Sequence, residues 1–454
     1  MTVSALTAAL EARRSVDSTV IGWEVAETRG RGVQRLYRGV AGDLVVYQSR
    51  VVRDRSLRIT AWVRVGEQMG AGVVDIDPNL DPIPQVDQAV MVATTSANHP
   101  WDLPAPPVEP YPEIETADPG IVENPAATLA RLESRLQTAL DGEEGVRVNS
   151  AEIYVTWAAR EVQTHAGIHF VHRTTEVDLE FAAEPLPGPN TQEVHNGLAG
   201  VAERDIDIER FVADTAAETR YLGETEEPGS GSDIPILVGT RAAAQFFSAL
   251  AACLTAHRAF LKIGTIDVGE NVHRGERRGD AVNLTLDPFL DRMVCSHAAT
   301  HSGQIPRRAK VIADSRVLLQ CVDHRYGQYL GVESNHIGGN AVVEAGAHTT
   351  EQLRNETPGA IEILSFSSLV VDRTSLTWSS EIKLGRQRDR DGNVRWLKGG
   401  VVSGDFRANL TDLLLSSEEG VVNEPGRFGL QAVGYRGPAA LLLRAGVSVV
   451  GEGR

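Results

Sequence analysis

The side chains best suited to hold a metal at short spacing are Cys295, His297 and His301, a Cys-x-His-x-x-x-His run between Met293 and Gly303. One thiolate and two imidazoles suit zinc or a softer ion. Residues four apart share a face only in a helix, and this run is flanked by Gly and Ser, so solvent-facing loop residues are the competing assignment. Cys253 and His257 are also four apart, in a strongly apolar helical stretch. A cysteine there commonly serves as a small apolar residue, and a histidine at the helix end complements the dipole. His165, His169 and His172 stand near Glu161, but the surrounding alternation is that of strands, which sends His169 and His172 to opposite faces. Asp287 and Asp291 could be paired carboxylates, although Pro288 between them points to a turn. No Gly-rich phosphate loop follows a strand, and no Gly-x-Ser-x-Gly elbow is present. None of the twelve histidines is followed by glutamate, so the helical zinc-peptidase pairing is absent in any register.

These residues need a scaffold, and the composition supplies one. The chain has 454 residues, 42% of them apolar, and two domains are expected at that length. A net charge of −17 argues against a nucleic-acid footprint and against an anionic membrane surface. Arg307-Arg308 and Arg386 to Arg390 are short basic patches, expected to be solvated faces or subunit contacts. Three cysteines do not form a disulfide framework. No signal peptide is visible at Met1-Thr2-Val3-Ser4, and no apolar run spans a bilayer, so a cytoplasmic location is expected.

A short helix over residues 4 to 13 is followed by alternating β-branched runs at Thr19 to Val25, Val33 to Tyr37, Leu44 to Val52, Leu57 to Val65 and Ala71 to Ile76. A helix is expected around Val86 to Ala93. Residues 102 to 125 are too rich in proline for helix or central strand. Asn124 and Pro125 then start a helix that carries Leu129, Leu132, Leu136 and Leu140. Strands near Ala151 to Trp157 and Ile168 to Phe181 and a helix from Ala202 to Tyr221 complete an α+β N-terminal domain, residues 1–222. Residues 223–235, acidic and rich in Gly, Ser and Pro, form the linker. Residues 236–454 read as a β-rich domain built around one buried helix, Arg241 to Ala256. Asp391-Gly392 marks a hairpin turn within it.

This organisation resembles the TldD/PmbA family of metallopeptidases, also called modulators of DNA gyrase, over nearly the whole chain. The segments that carry the resemblance are Ile59 to Gly66 with Gly70-Ala71-Gly72, the crossing Glu109-Pro110-Tyr111-Pro112, the helix Gly239 to His257, the block Ile305 to Ser334, and the ending Gly437 to Gly451. Catalytic members carry His-Glu-x-x-x-His on that helix and a late cysteine ligand. The resemblance places the motif at Ser248-Ala249-Leu250-Ala251-Ala252-Cys253 and the late cysteine near Gly426. Ser248, Ala249 and Cys253 are therefore degenerate motif positions, and no cysteine stands near Gly426. The implied role is that of the PmbA branch, also called TldE: a non-catalytic subunit that helps bind peptide and close the chamber of a heterodimer. Zinc is then expected in a TldD-like partner and no cofactor in this chain. Two alternatives stay open, an active peptidase with a relocated metal site at Cys295, His297 and His301, and a non-proteolytic peptide-binding homodimer.

Overall fold

A computed structural model describes residues 1–40, 43–186, 193–264, 266–389, 391–426 and 431–451. The N-terminal lobe opens with helix α1 (Val3–Val16) and a long ribbon of strands β1 (Val20–Val40) and β2 (Asp43–Val65). Four separate strands were expected here. The charged stretches between them stay in the ladder even though Arg29 faces Arg55 and Arg31 faces Arg53. Glu27 is 1% exposed, and it accepts from Arg55 Nε at 2.7 Å and from an Arg29 guanidinium nitrogen at 2.5 Å. The Arg29 and Arg55 charges are thus offset in mid-strand by Glu27 instead of marking a turn.

Strand β3 (Gln68–Asp75), helix α2 (Pro82–Thr95), strand β4 (Ala97–Asn98) and helices α3 (Pro119–Glu123) and α4 (Pro125–Asp141) follow. Strands β5 (Val146–Thr164), β6 (His169–Pro185) and β7 (Val194–Gly200) and helix α5 (Ile208–Tyr221) complete the lobe. The sheet is antiparallel in the order β4-β3-β2-β1-β5-β6-β7. One face, carrying Val25, Ile59, Val155 and Leu179, packs under helices through Leu6, Val86, Leu132 and Val212. Helix α4 begins as expected, with the Asn124 side chain accepting from the Ala127 N–H at 3.2 Å. Helix α5 starts later than Ala202 because Asp207 takes the cap, accepting from the Arg210 N–H; Asp205 ties back to the Ala202 N–H at 2.9 Å.

The proline-rich crossing runs extended across the second lobe. Asp102 N–H donates to Gln328 at 2.7 Å, Tyr111 OH to Gly303 O at 2.7 Å, and Glu115 N–H to Asp291 at 2.9 Å. Residues 223–235 do not hang free. Thr225 and Glu226 pair beside Trp396 and Leu397, Gly231 and Ser232 pair beside Val449 and Ser448, and Tyr221 stacks on Trp396 at 3.7 Å.

In the C-terminal lobe a ten-stranded and a six-stranded sheet share one core. Helix α6 (Thr240–Ala252) packs against strands of both. Phe246 lies between Trp378 and Phe406, and Phe247 stacks on Tyr435. The helix ends at Ala252, not Ala256. Leu254 and Ala256 exchange backbone hydrogen bonds with Cys321 at 2.6 and 2.9 Å, which pulls the chain out of the helix before the short helix α7 (Ala256–Leu261) begins. Strands Thr377–Arg388 and Val394–Asp405 flank the expected hairpin at Asp391-Gly392, where Gly392 has φ 89° and the Asp389 side chain accepts from the Asp391 and Asn393 N–H groups. Strands Asn340–Val343, Glu419–Glu424 and Val433–Pro438 carry too little alternation to have been expected.

Candidate functional site

Ser248, Ala251, Ala252 and Thr255 recur at helical spacing, and all four border one cavity of about 500 Å3. The opposite wall is short side chains and backbone: Cys295, Gly339, Ala341, Ala432 and Gly434. Gly434 is required there, since a Cβ would stand 2.0 Å from Asn340 Oδ1. That same oxygen accepts from the Cys295 N–H at 3.2 Å and fixes the wall. Arg258, Arg373 and Gln431 border the cavity with Leu261 and Ile263, and an Arg373 guanidinium nitrogen donates to the Gln431 side chain.

Of the three degenerate motif positions, only Ser248 reaches this cavity. Ala249 and Cys253 are 1% exposed and belong to the core. The Cys253 thiol donates to Arg373 O at 3.2 Å, and burial pushes its pKa up to about 11. Gly426 borders a different cavity, with Thr116 and Thr156. Of the stretch around Gly426 where the late cysteine was expected to align, residues 427–430 lie outside the described residues.

A larger groove of about 640 Å3 lies between the lobes and shares Thr255 and His257 with the cavity. The uncovered face of the N-terminal sheet supplies Glu24, Thr60 and Trp62 to it. Six of the twelve histidines line it: His165, His257, His297, His301, His324 and His336. Burial holds the imidazoles of His165, His297, His301 and His336 below the ordinary histidine range, which favours neutral rings that can both donate and accept. Burial likewise raises the Glu24 carboxyl above the usual carboxylate range. Trp101 stands at one end with the Arg325 guanidinium 4.3 Å from its ring centre.

The run Cys295, His297 and His301 does not close on a common point. Cys295 fronts the small cavity, whereas His297 and His301 front the groove. The His297 Nδ1 is engaged by Cys295 O at 2.9 Å, and His301 Nδ1 lies 3.1 Å from an Arg160 nitrogen. The loop is not helical, so four-residue spacing does not bring the rings together. Among the described residues no three His, Cys, Asp or Glu side chains are grouped to hold a metal. His169 and His172 point to opposite faces, His169 to Glu161 at 3.1 Å. Asp287 pairs with Arg308 at 3.0 Å and accepts from the Phe289 N–H, the turn that Pro288 implied. Arg386 is tied to Glu362 at 2.7 Å, and Arg390 lies outside the described residues. His324 and His336 had drawn no attention in the sequence, since they sit on separate segments with no shared period.

No family model and no curated protein matches the chain by sequence. Solved structures do match it along its whole length. A candidate modulator of DNA gyrase from Thermotoga maritima superposes with TM-score 0.79 at 15% identity, over 99% of this chain and 100% of that one. TldE from Thermococcus kodakarensis gives 0.75 at 18%, over 98% and 100%. A second candidate modulator of DNA gyrase, from Bacteroides thetaiotaomicron, gives 0.76 at 12%, over 99% and 98%. The chain therefore has the fold that its sequence resemblance implied.

Proposed function

We propose that this chain is a PmbA/TldE-like subunit of a heterodimeric zinc peptidase, holding peptide and closing the chamber while a TldD-like partner carries the metal. The observation that carries this is the cavity face of α6. The resemblance puts the zinc motif of catalytic members on this helix, and here Ser248, Ala251 and Ala252 of α6 front the cavity, with Thr255 just beyond its end. A hydroxyl pair and two methyls offer neither imidazole nor carboxylate to a zinc ion. The fold shared with TldE and with two candidate gyrase modulators is in keeping with the family as a whole. The uncovered sheet face and the neutral histidines of the groove suit an extended peptide, whose backbone needs both donors and acceptors. Among the described residues no helix is long and apolar enough to cross a membrane.

The chain purified without any partner is expected to contain no stoichiometric zinc and to leave unfolded peptides intact. Stoichiometric zinc together with cleavage, both lost on His301→Ala, would instead favour a relocated site.

A further inference from the structure

The cavity beside α6 is more than the space left by a missing metal site, because its charge is one-sided. Arg258 and Arg373 both border it, and among the described residues neither has a carboxylate partner within ion-pair distance. Arg258 is held by backbone, a guanidinium nitrogen donating to Arg373 O at 2.6 Å. The neighbouring Asp372 is held chiefly by its own turn, accepting from the Thr374 N–H at 2.8 Å and the Ser375 N–H at 2.6 Å, and it feels Arg258 through space without a direct ion pair. Among the described residues the Arg373 guanidinium donates to the neutral Gln431 amide and to no carboxylate. Two guanidiniums at one cavity in a chain of net charge −17 are placed against the general trend of the molecule.

The rest of the wall is apolar or small. Ala251, Ala252, Ala341 and Ala432 leave room without offering competing anions, and Leu261 and Ile263 add an apolar lip. A volume of about 500 Å3 falls within the usual range for small-ligand sites, roughly 300–1,000 Å3. Thr255 and His257 join the cavity to the interlobe groove, so a ligand held here can continue as a chain into that groove.

We infer that this cavity captures the C-terminal carboxylate of a peptide, with Arg373 and Arg258 as its cationic partners and the alanine-lined walls receiving an apolar last side chain. The inference rests on the peptide-holding role proposed above and names the end of the peptide that this subunit takes. The carboxylate gains charge-assisted hydrogen bonds in a site where arginine's planar fork suits both oxygens. The upstream residues lie in the groove against Thr60, Trp62 and the histidines.

The test uses the full chain and N-terminally fluorescein-labelled Ala/Leu hexapeptides, as free acid and as C-terminal amide, with binding followed by anisotropy. The free acid is expected to bind about tenfold tighter or more. Arg373→Gln should abolish that preference with little change in amide binding, and Arg373→Lys should keep part of it. Unchanged melting temperatures confirm that the variants are folded. N-acetyl-leucine should compete only weakly, since it cannot occupy the groove. Equal affinity for acid and amide, or a preference that survives Arg373→Gln, overturns the inference while leaving the subunit's peptide-holding role standing. Displacement by N-acetyl-leucine as effective as by the peptide also overturns it, in favour of a small-acid site. Absence of binding by either peptide overturns the inference and the peptide-holding role together, whereas pairing with a zinc-bearing partner is read separately, by co-purification.

Discussion

Cys253 shows how much one position depends on which side of a helix it occupies. In sequence it stands at a motif position and four residues before His257, and both facts invite a chemical role. In the fold it is turned into the core against Arg373 O, and its thiol is pushed up to about 11 by burial. Burial pushes the Cys321 thiol higher still, to about 12, and raises that of Cys295 as well. All three cysteines are free thiols. Thiolate is the reactive form, so native protein treated briefly with iodoacetamide at pH 8 should show almost no labelling at the three sites by mass spectrometry. The same treatment in denaturant should label all three. Rapid native labelling of Cys253 would mean that α6 is not seated as described. The absence of a His-Glu pair was legible from residue identities alone. That Ser248 faces the cavity while Ala249 and Cys253 do not was not legible, because it depends on the rotation of α6 between two sheets.

Among the elements, α6 was the most readable, since a long apolar helical run in a β-rich region has to be buried. Its C-terminal end was misplaced, because backbone bonding to Cys321, some 70 residues along the chain, takes over after Cys253. The long β1–β2 ribbon was split into pieces for a related reason. A run of arginines looks like a break until the buried Glu27 and a partner strand are in place. The strands Asn340–Val343 and Val433–Pro438 were missed because short segments buried on both sides lose the alternation that marks a half-buried strand. The weight of α6 in the core is measurable. Phe246→Ala removes a side chain of 0% exposure that touches Trp378 and Phe406. It should cost about 3–5 kcal/mol in denaturant unfolding. A loss within the range of a surface change, about 0.5 kcal/mol, would contradict the central place given to this helix.

At the scale of the whole molecule, the two lobes meet along the proline-rich crossing, and the groove lies between them. Six histidines from several segments converge there. Nothing in their spacing announced it, since contacts such as Tyr111 to Gly303 or Asp102 to Gln328 join residues about two hundred positions apart. The organisation into an α+β lobe and a β-rich lobe was legible because it rests on local periodicity and on the placement of prolines. The agreement with TldE and with candidate gyrase modulators holds at the level of fold, with 12% to 18% identity and nearly full coverage. In this chain the cavity lies beside α6, whose face toward it carries Ser248, Ala251 and Ala252. Among the described residues the histidines and cysteines of the cavity and groove are not gathered into a group of three that could hold a metal. The most direct test is affinity purification of the tagged chain from its own cells, with mass spectrometry and metal analysis of what comes with it. The proposed role predicts one stoichiometric companion that bears His-Glu-x-x-x-His and holds the zinc. Recovery of the chain alone or as a homodimer, with no such companion, would contradict it.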